Sequence, residues 1–235
     1  MRKIFTILFL VIAPLTVVAG FFLLHDRKYY FISLLVAVYT LVPFFARFEK
    51  RRPQARELVI LAVMIALAVV SRAAFFMIPQ FKPILAIVII SGIALGKESG
   101  FLVGAMGAFV SNFIFGQGPW TPWQMLAMGI VGFLAGLLAE KGAFRELALK
   151  KLWPPLLIFG AIAAFVIYGG IVDIWTIFGM TPNPTWQTAA LVYGAAIWPN
   201  TVFTAATVLF LALLARPMME KLDRVKAKYG LMAFK

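Results

Sequence analysis

Apolar residues gather along this chain into eight runs, 4–24, 29–46, 58–78, 84–96, 100–115, 123–139, 155–178 and 189–215, divided by short polar, glycine or proline breaks. A helix needs about 20 predominantly apolar residues, with a range of about 17 to 25, to cross a bilayer. Most runs meet that length; 84–96 is short, which predicts a partly embedded or packed helix. The first run follows Met1-Arg2-Lys3 as a signal peptide would. It is long for such a segment and meets no clear small-residue cleavage site, so it reads as a retained helix. The pattern predicts an all-α, polytopic membrane helical bundle.

The breaks divide the bundle. Residues 1–46 form an N-terminal two-helix hairpin, 47–57 a basic linker, 58–215 a six-helix core and 216–235 a basic tail. From Met218 the tail reads either as an amphipathic end lying on the inner membrane face or as a solvated end. Small residues recur at four-residue spacing: Ala62 and Ala66, then Gly92, Gly96, Gly100 and Gly104, then Gly132 and Gly136. Such faces let helices approach closely in lipid, which predicts packing within the chain for the glycines.

Composition agrees with the pattern: 63% of residues are hydrophobic and 13% charged, where a soluble domain averages about 25% charged. A net charge of +13 could point to nucleic acid, but its placement argues otherwise. With both termini cytoplasmic, 18 lysines and arginines fall on the inner side. Only Arg27, Lys28, Arg72 and Lys82 fall outside, and loops 116–122 and 179–188 carry no charge. That asymmetry is a topology and headgroup signal. It predicts eight spans in a plasma membrane.

Several kinds of chemistry have nothing to stand on. Cysteine is absent and His25 is the single histidine, so there is no thiol nucleophile and no metal-ligating cluster. A serine nucleophile has no nearby base, and no phosphate-binding Gly-Lys-Ser/Thr loop occurs. The chain reads as a non-enzyme with no cofactor and no metal.

Candidate binding chemistry collects around 107–136. Gly116, Gln117, Gly118, Pro119, Trp120, Thr121, Pro122, Trp123 and Gln124 make an uncharged turn between two runs, preceded by Asn112. Trp120 and Trp123 suit a membrane surface or a flat organic ligand. The amides beside them point toward the ligand, because small-molecule sites mix apolar walls with a few placed polar groups.

Two charges lie inside apolar runs. Arg72 and Asp173 sit about 21 and 27 Å from the inner face at 1.5 Å per residue, both in the outer third. Such groups tend to pair or to line a wet cavity, and their opposite signs make a mutual pair plausible; snorkelling of Arg72 and exposure of Asp173 at a helix end are the alternatives. Asn200, beside Pro199, interrupts the last run near mid-membrane and marks a cavity floor or a kink.

The core from 55 to 215 resembles the S component, the substrate-binding membrane subunit, of energy-coupling factor (ECF) transporters, the ABC-type importers of vitamins in bacteria. The resemblance is carried by Ala-Arg-Glu-Leu-Val-Ile-Leu-Ala-Val-Met-Ile-Ala at 55–66, by 100–115 and by Gly-Pro-Trp-Thr-Pro-Trp-Gln-Met at 118–125, the last most similar to cobalamin-type members. It implies a six-helix pocket open to the outside. It also implies a transmembrane coupling subunit, contacted through Ala62 and Ala66, and two ATPase subunits. The expected ligand is then a vitamin, best a corrinoid, held by Arg72, Asn112, Gln117, Trp120, Trp123, Gln124, Asp173 and Asn200 beneath the gate 116–122. The hairpin 1–46 departs from the six-helix pattern and leaves the substrate open. An ion-coupled secondary transporter using Arg72 and Asp173 is the alternative, although no inverted repeat is evident.

Overall fold

The computed structural model describes residues 54–144, 153–180 and 184–229, with three isolated helical positions, Leu35, Val42 and Ala46. The rest of the expected hairpin 1–46, most of the basic linker and the last residues of the tail lie outside the described residues. Among the described residues six helices follow one another: α1 (Ala55–Ala73), α2 (Ile84–Leu95), α3 (Lys97–Phe115), α4 (Thr121–Glu140), α5 and α6 (Trp186–Tyr229). Helix α5 is continuous but made of three parts, Trp153–Ile162, a π-helical stretch Ala163–Tyr168, and Gly169–Met180. No strand occurs among the described residues.

Among the described residues four stretches are long and apolar enough to cross a membrane: Lys97–Phe115, Thr121–Glu140, Pro154–Gly179 and Trp186–Tyr229. Helix α1 has 19 residues but carries Arg56, Glu57 and Arg72. Helix α2, with 12 residues, rises about 18 Å, well short of a hydrocarbon core of about 30 Å. It is buried along almost its whole length, so it is the packed helix that its short run predicts. Outward from the bundle stand Val59, Val63, Val70, Val166, Leu191, Trp198 and Leu213, all largely exposed. An apolar exterior of this kind is what contact with lipid tails requires.

Glycine positions the centre. Gly96 ends α2 at φ 90°, in the left-handed region that suits glycine, and α3 begins at the next residue. A Cβ placed on Gly92 or Gly100 would overlap the carbonyl of Gly132, and one on Gly132 would overlap that of Gly100. Gly136 meets the backbone of Lys97, and Gly104 that of Met128, in the same way. The four-residue spacing therefore serves packing within the chain, holding α2, α3 and α4 backbone to backbone.

The antiparallel helices share two ends. At one, the carboxylate of Glu140 takes the ammonium of Lys97, Lys226 donates to the Ala94 carbonyl at 2.9 Å, and Arg56 lies over the Tyr229 ring. Helix α6 does not stop where its apolar run stops. It continues to Tyr229, packing Met218, Met219 and Leu222 against the core, so this stretch belongs to the bundle. At the other end stand Arg72, Phe115 and Thr121. Pro199 does not break α6 either: the helix runs through it, and Thr201 donates to the Ile197 carbonyl at 2.7 Å beside the missing N–H.

Candidate functional site

Two polar clusters occupy the Arg72 end. The first is centred on Asn112, which α3 presents near its C-terminus and which is fully buried. Its Oδ1 accepts from Arg72 Nη1 at 2.8 Å, tying α1 to α3. Its Nδ2 donates to Thr121 Oγ1 at 3.0 Å and to Gln124 Oε1 at 2.8 Å, tying α3 to α4. Thr121 Oγ1 in turn donates to Gln117 Oε1 at 2.9 Å and accepts from the Gly118 N–H at 3.2 Å. Gln117 Nε2 donates to the Phe109 carbonyl at 2.9 Å. Arg72 Nη1 also donates to Ser111 Oγ at 2.5 Å. One amide thus uses its acceptor and both donors to lock three helix ends, which a buried polar group at this depth requires.

The turn between α3 and α4 is shorter than the uncharged gate 116–122 expected from sequence. Thr121 and Pro122 already lie in the first turn of α4, where proline's missing N–H has no helical partner to lose. Gly116 turns the chain at φ 104°. The ring of Trp120 lies across Gly118, where a Cβ would collide with it, and is partly exposed. Trp123 points inward instead: it is 9% exposed and its ring sits 6.4 Å from that of Trp175 on α5.

The second cluster joins α5 to α6. Asn200 Nδ2 donates to Asp173 Oδ2 at 2.9 Å, and the amide packs against Gly169, where a side chain would displace it. Above them opens a cavity of about 480 Å³ lined by Phe165, Val166, Gly170, Asp173, Tyr193, Gly194, Ile197 and Asn200. Tyr193 donates to the Gly170 carbonyl across its mouth at 3.4 Å. A groove with apolar walls and one partly buried carboxylate–amide pair can hold a flat organic molecule and orient a donor group on it.

The pair expected between Arg72 and Asp173 is not formed. Each finds a nearer neutral partner, Ser111 and Asn112 for the guanidinium and Asn200 for the carboxylate, and no ion pair joins them among the described residues. Between the clusters stands Tyr168, the last residue of the π-helical stretch, within electrostatic reach of both charges and stacked on Phe203 at 4.7 Å. A π turn adds a residue to the helical repeat, rotating the residues beyond it, and such turns gather at functional sites. Of the residues singled out in the sequence, Arg72, Asn112, Gln117 and Gln124 come together, Asp173 and Asn200 come together, and Trp120 stands apart. Ser111, Tyr168 and Tyr193 were missed; a lone hydroxyl inside an apolar run carries no spacing signal.

The loop 74–83 meets the end of α3 at Phe115, whose ring centre lies 5.2 Å from that of Phe76. Lys82 donates to the carbonyls of Phe76 at 3.1 Å and Ile78 at 2.8 Å, and to that of Phe75. Burial, and then the charge of Arg72, hold its ammonium below the ordinary lysine pKa. Among the described residues no three histidine, aspartate or glutamate side chains meet as a metal site.

Residues 53–216 match the family model described as ECF-type riboflavin transporter, S component. Among curated proteins, the chain is 35% identical over 88 residues to UPF0397 proteins of Aliivibrio fischeri (strain MJ11) and Aliivibrio salmonicida (strain LFI1238). It is 34% identical over 88 residues to one of Vibrio atlanticus (strain LGP32). Each alignment covers 35% of this chain and 48% of the relative, so the chain spans about half the length of the curated relatives it matches. No solved structure matches it.

Proposed function

Because this chain belongs to the family of S components of ECF-type riboflavin transporters, we propose that it captures a flavin at the Arg72 end of its bundle, facing outward. It then carries the ligand across the membrane with an ATP-driven energy-coupling module. It is a transport subunit rather than an enzyme, and ATP hydrolysis falls to partner chains. The observation that carries the reading is the convergence of five helices, α1, α3, α4, α5 and α6, on two polar clusters at one end of an otherwise apolar bundle. The flavin is favoured by the family description and by the dimensions of the groove. A tricyclic ring fits apolar walls with Asp173 and Asn200 at their base, since ligand sites run from about 300 to 1,000 Å³. On this reading Ala62 and Ala66 meet the coupling subunit. Both are exposed on α1, opposite its buried Leu61, Met64 and Ala68.

A corrinoid is the second reading, and the stretch 118–125 favours it. Of the two tryptophans in that stretch, Trp123 is engaged with Trp175 and Trp120 is the more exposed. An ion-coupled exchange through Arg72 and Asp173 loses its main support, because the two charges are held apart. Flavin fluorescence titration of the purified chain tests the proposal: saturable quenching by riboflavin, undiminished by excess cobalamin, is expected. Saturable cobalamin binding without any for riboflavin would replace the flavin by the corrinoid.

A further inference from the structure

At the Arg72 end two cations gather on one aromatic ring, and neither forms an ion pair among the described residues. The Arg72 guanidinium lies 4.3 Å from the centre of the Phe115 ring, and the Lys82 ammonium 5.4 Å from the same centre. Arg72 uses Nη1 on the neutral oxygens of Ser111 and Asn112, leaving the donors of Nε and Nη2 without a partner among the described residues. Lys82 directs its donors to three loop carbonyls, so it acts as a fixed charge. No described carboxylate contacts either cation. Glu57, Glu98, Glu140, Glu220 and Asp223 belong to the opposite end of the bundle, while Asp173, in the second cluster of this end, is hydrogen-bonded to Asn200 and makes no ion pair with Arg72 or Lys82. Like charges brought to one aromatic ring repel, and a half-buried guanidinium in an apolar bundle is costly without a counter-charge. Cation–π contact offsets only part of that.

We propose that Arg72 and Lys82, gathered on Phe115, form a receptor for an oxyanion, a phosphate or carboxylate carried by the transported ligand. The free edge of the guanidinium supplies a two-donor fork for two oxygens, and the lysine adds a point charge beside it. The inference rests on the reading that ligand binds at this end, and it adds that an anionic flavin is preferred to a neutral one. An anionic lipid headgroup offers the same chemistry, so the two sources are separated by experiment.

The chain, delipidated in detergent, is titrated with riboflavin and with riboflavin 5′-phosphate. One charge-assisted, two-donor contact is expected to make the phosphate ester bind about 10-fold more tightly. The ratio of the two affinities should fall toward one in Arg72→Gln and in Lys82→Gln, and persist in Lys82→Arg, which keeps the charge if the loop folds. Equal affinities in the native chain, or a preference surviving both charge-removing variants, would overturn the proposal. If neither flavin binds, the flavin reading fails, and inorganic phosphate alone then decides. A rise in melting temperature with phosphate that vanishes in the double variant Arg72→Gln/Lys82→Gln upholds the receptor, and its absence removes it. Stabilisation by phosphatidylglycerol micelles through the same two residues, without any flavin phosphate preference, would assign the anion to lipid and overturn the ligand-borne claim.

Discussion

At Gly100 and Gly132 two helix backbones meet, each carbonyl filling the space where the other residue's Cβ would stand. No flexible side chain is available to give way there, so a larger residue must push whole helices apart. Gly132→Val is therefore expected to lower stability by about 3 kcal/mol or more, at or beyond the upper range for overpacking. Gly194→Ala, where a Cβ meets nothing, should change it by less than about 1 kcal/mol. Thermal unfolding of both variants in detergent, followed by retention of the monomer peak, checks the contrast; equal melting would mean that the close approach is dispensable. The candidate residues obey the same logic of nearest neighbours. Depth along each run puts Arg72, Asn112 and Asp173 at one level of the bundle. Partner choice depends on azimuth around each helix, which the interruption at Ala163–Tyr168 resets for everything after it in α5. That is why Asp173 meets Asn200 rather than Arg72.

Among the elements, α1 stands out for its uncovered side. Its inner face buries Leu61, Met64 and Ala68, while Leu58, Val59, Ala62, Val63, Ala66 and Leu67 remain exposed. Small residues on an exposed apolar face permit a second helix to approach closely. Replacing Ala62 and Ala66 together by leucine is expected to reduce uptake in cells at least about 10-fold, corresponding to 1.4 kcal/mol or more of lost association. Ligand affinity of the purified subunit should stay nearly the same, because neither residue touches the polar clusters. Parallel loss of affinity and uptake would show that the alanines pack against this chain's own helices. The α-helical identity of each described run was legible from its apolar length. Helix ends were less so: Thr121 and Pro122 looked like loop but start α4, and the stretch after Ala215 looked like a tail but extends α6. Capping proline and a long amphipathic continuation both carry polar residues, and polarity by itself does not separate a helix end from a loop.

For the whole molecule the question is which way it faces. The two ends differ chemically: one gathers Lys97, Glu140, Lys226 and Arg56, the other Arg72, Lys82 and the uncharged turn at Gly116–Trp120. Lysine and arginine placement predicts that the former is cytoplasmic. Because the chain has no native cysteine, single cysteines report cleanly. Met77→Cys and Thr185→Cys should react from outside intact cells with an impermeant thiol reagent, while Gln54→Cys and Lys141→Cys should react only after permeabilisation. Labelling of Lys141→Cys from outside would invert the orientation.

By itself the amino-acid sequence determined the class of the molecule: an apolar bundle with its charge sorted to one side, glycine seams that bring helices together, and no groups fit for catalysis. Transfer free energy and steric size dictate these, and both are properties of residues summed along a run. The tertiary structure alone decided which polar groups face one another. A hydrogen bond depends on rotation about helix axes to within a fraction of a turn, and a six-residue π-helical stretch and two prolines inside α6 set that rotation. Asn112 became a hub, Trp123 came to lie beside Trp175, and Arg72 came to share an aromatic ring with Lys82, because directional contacts are fixed by the packed helices and not by the order of residues along them.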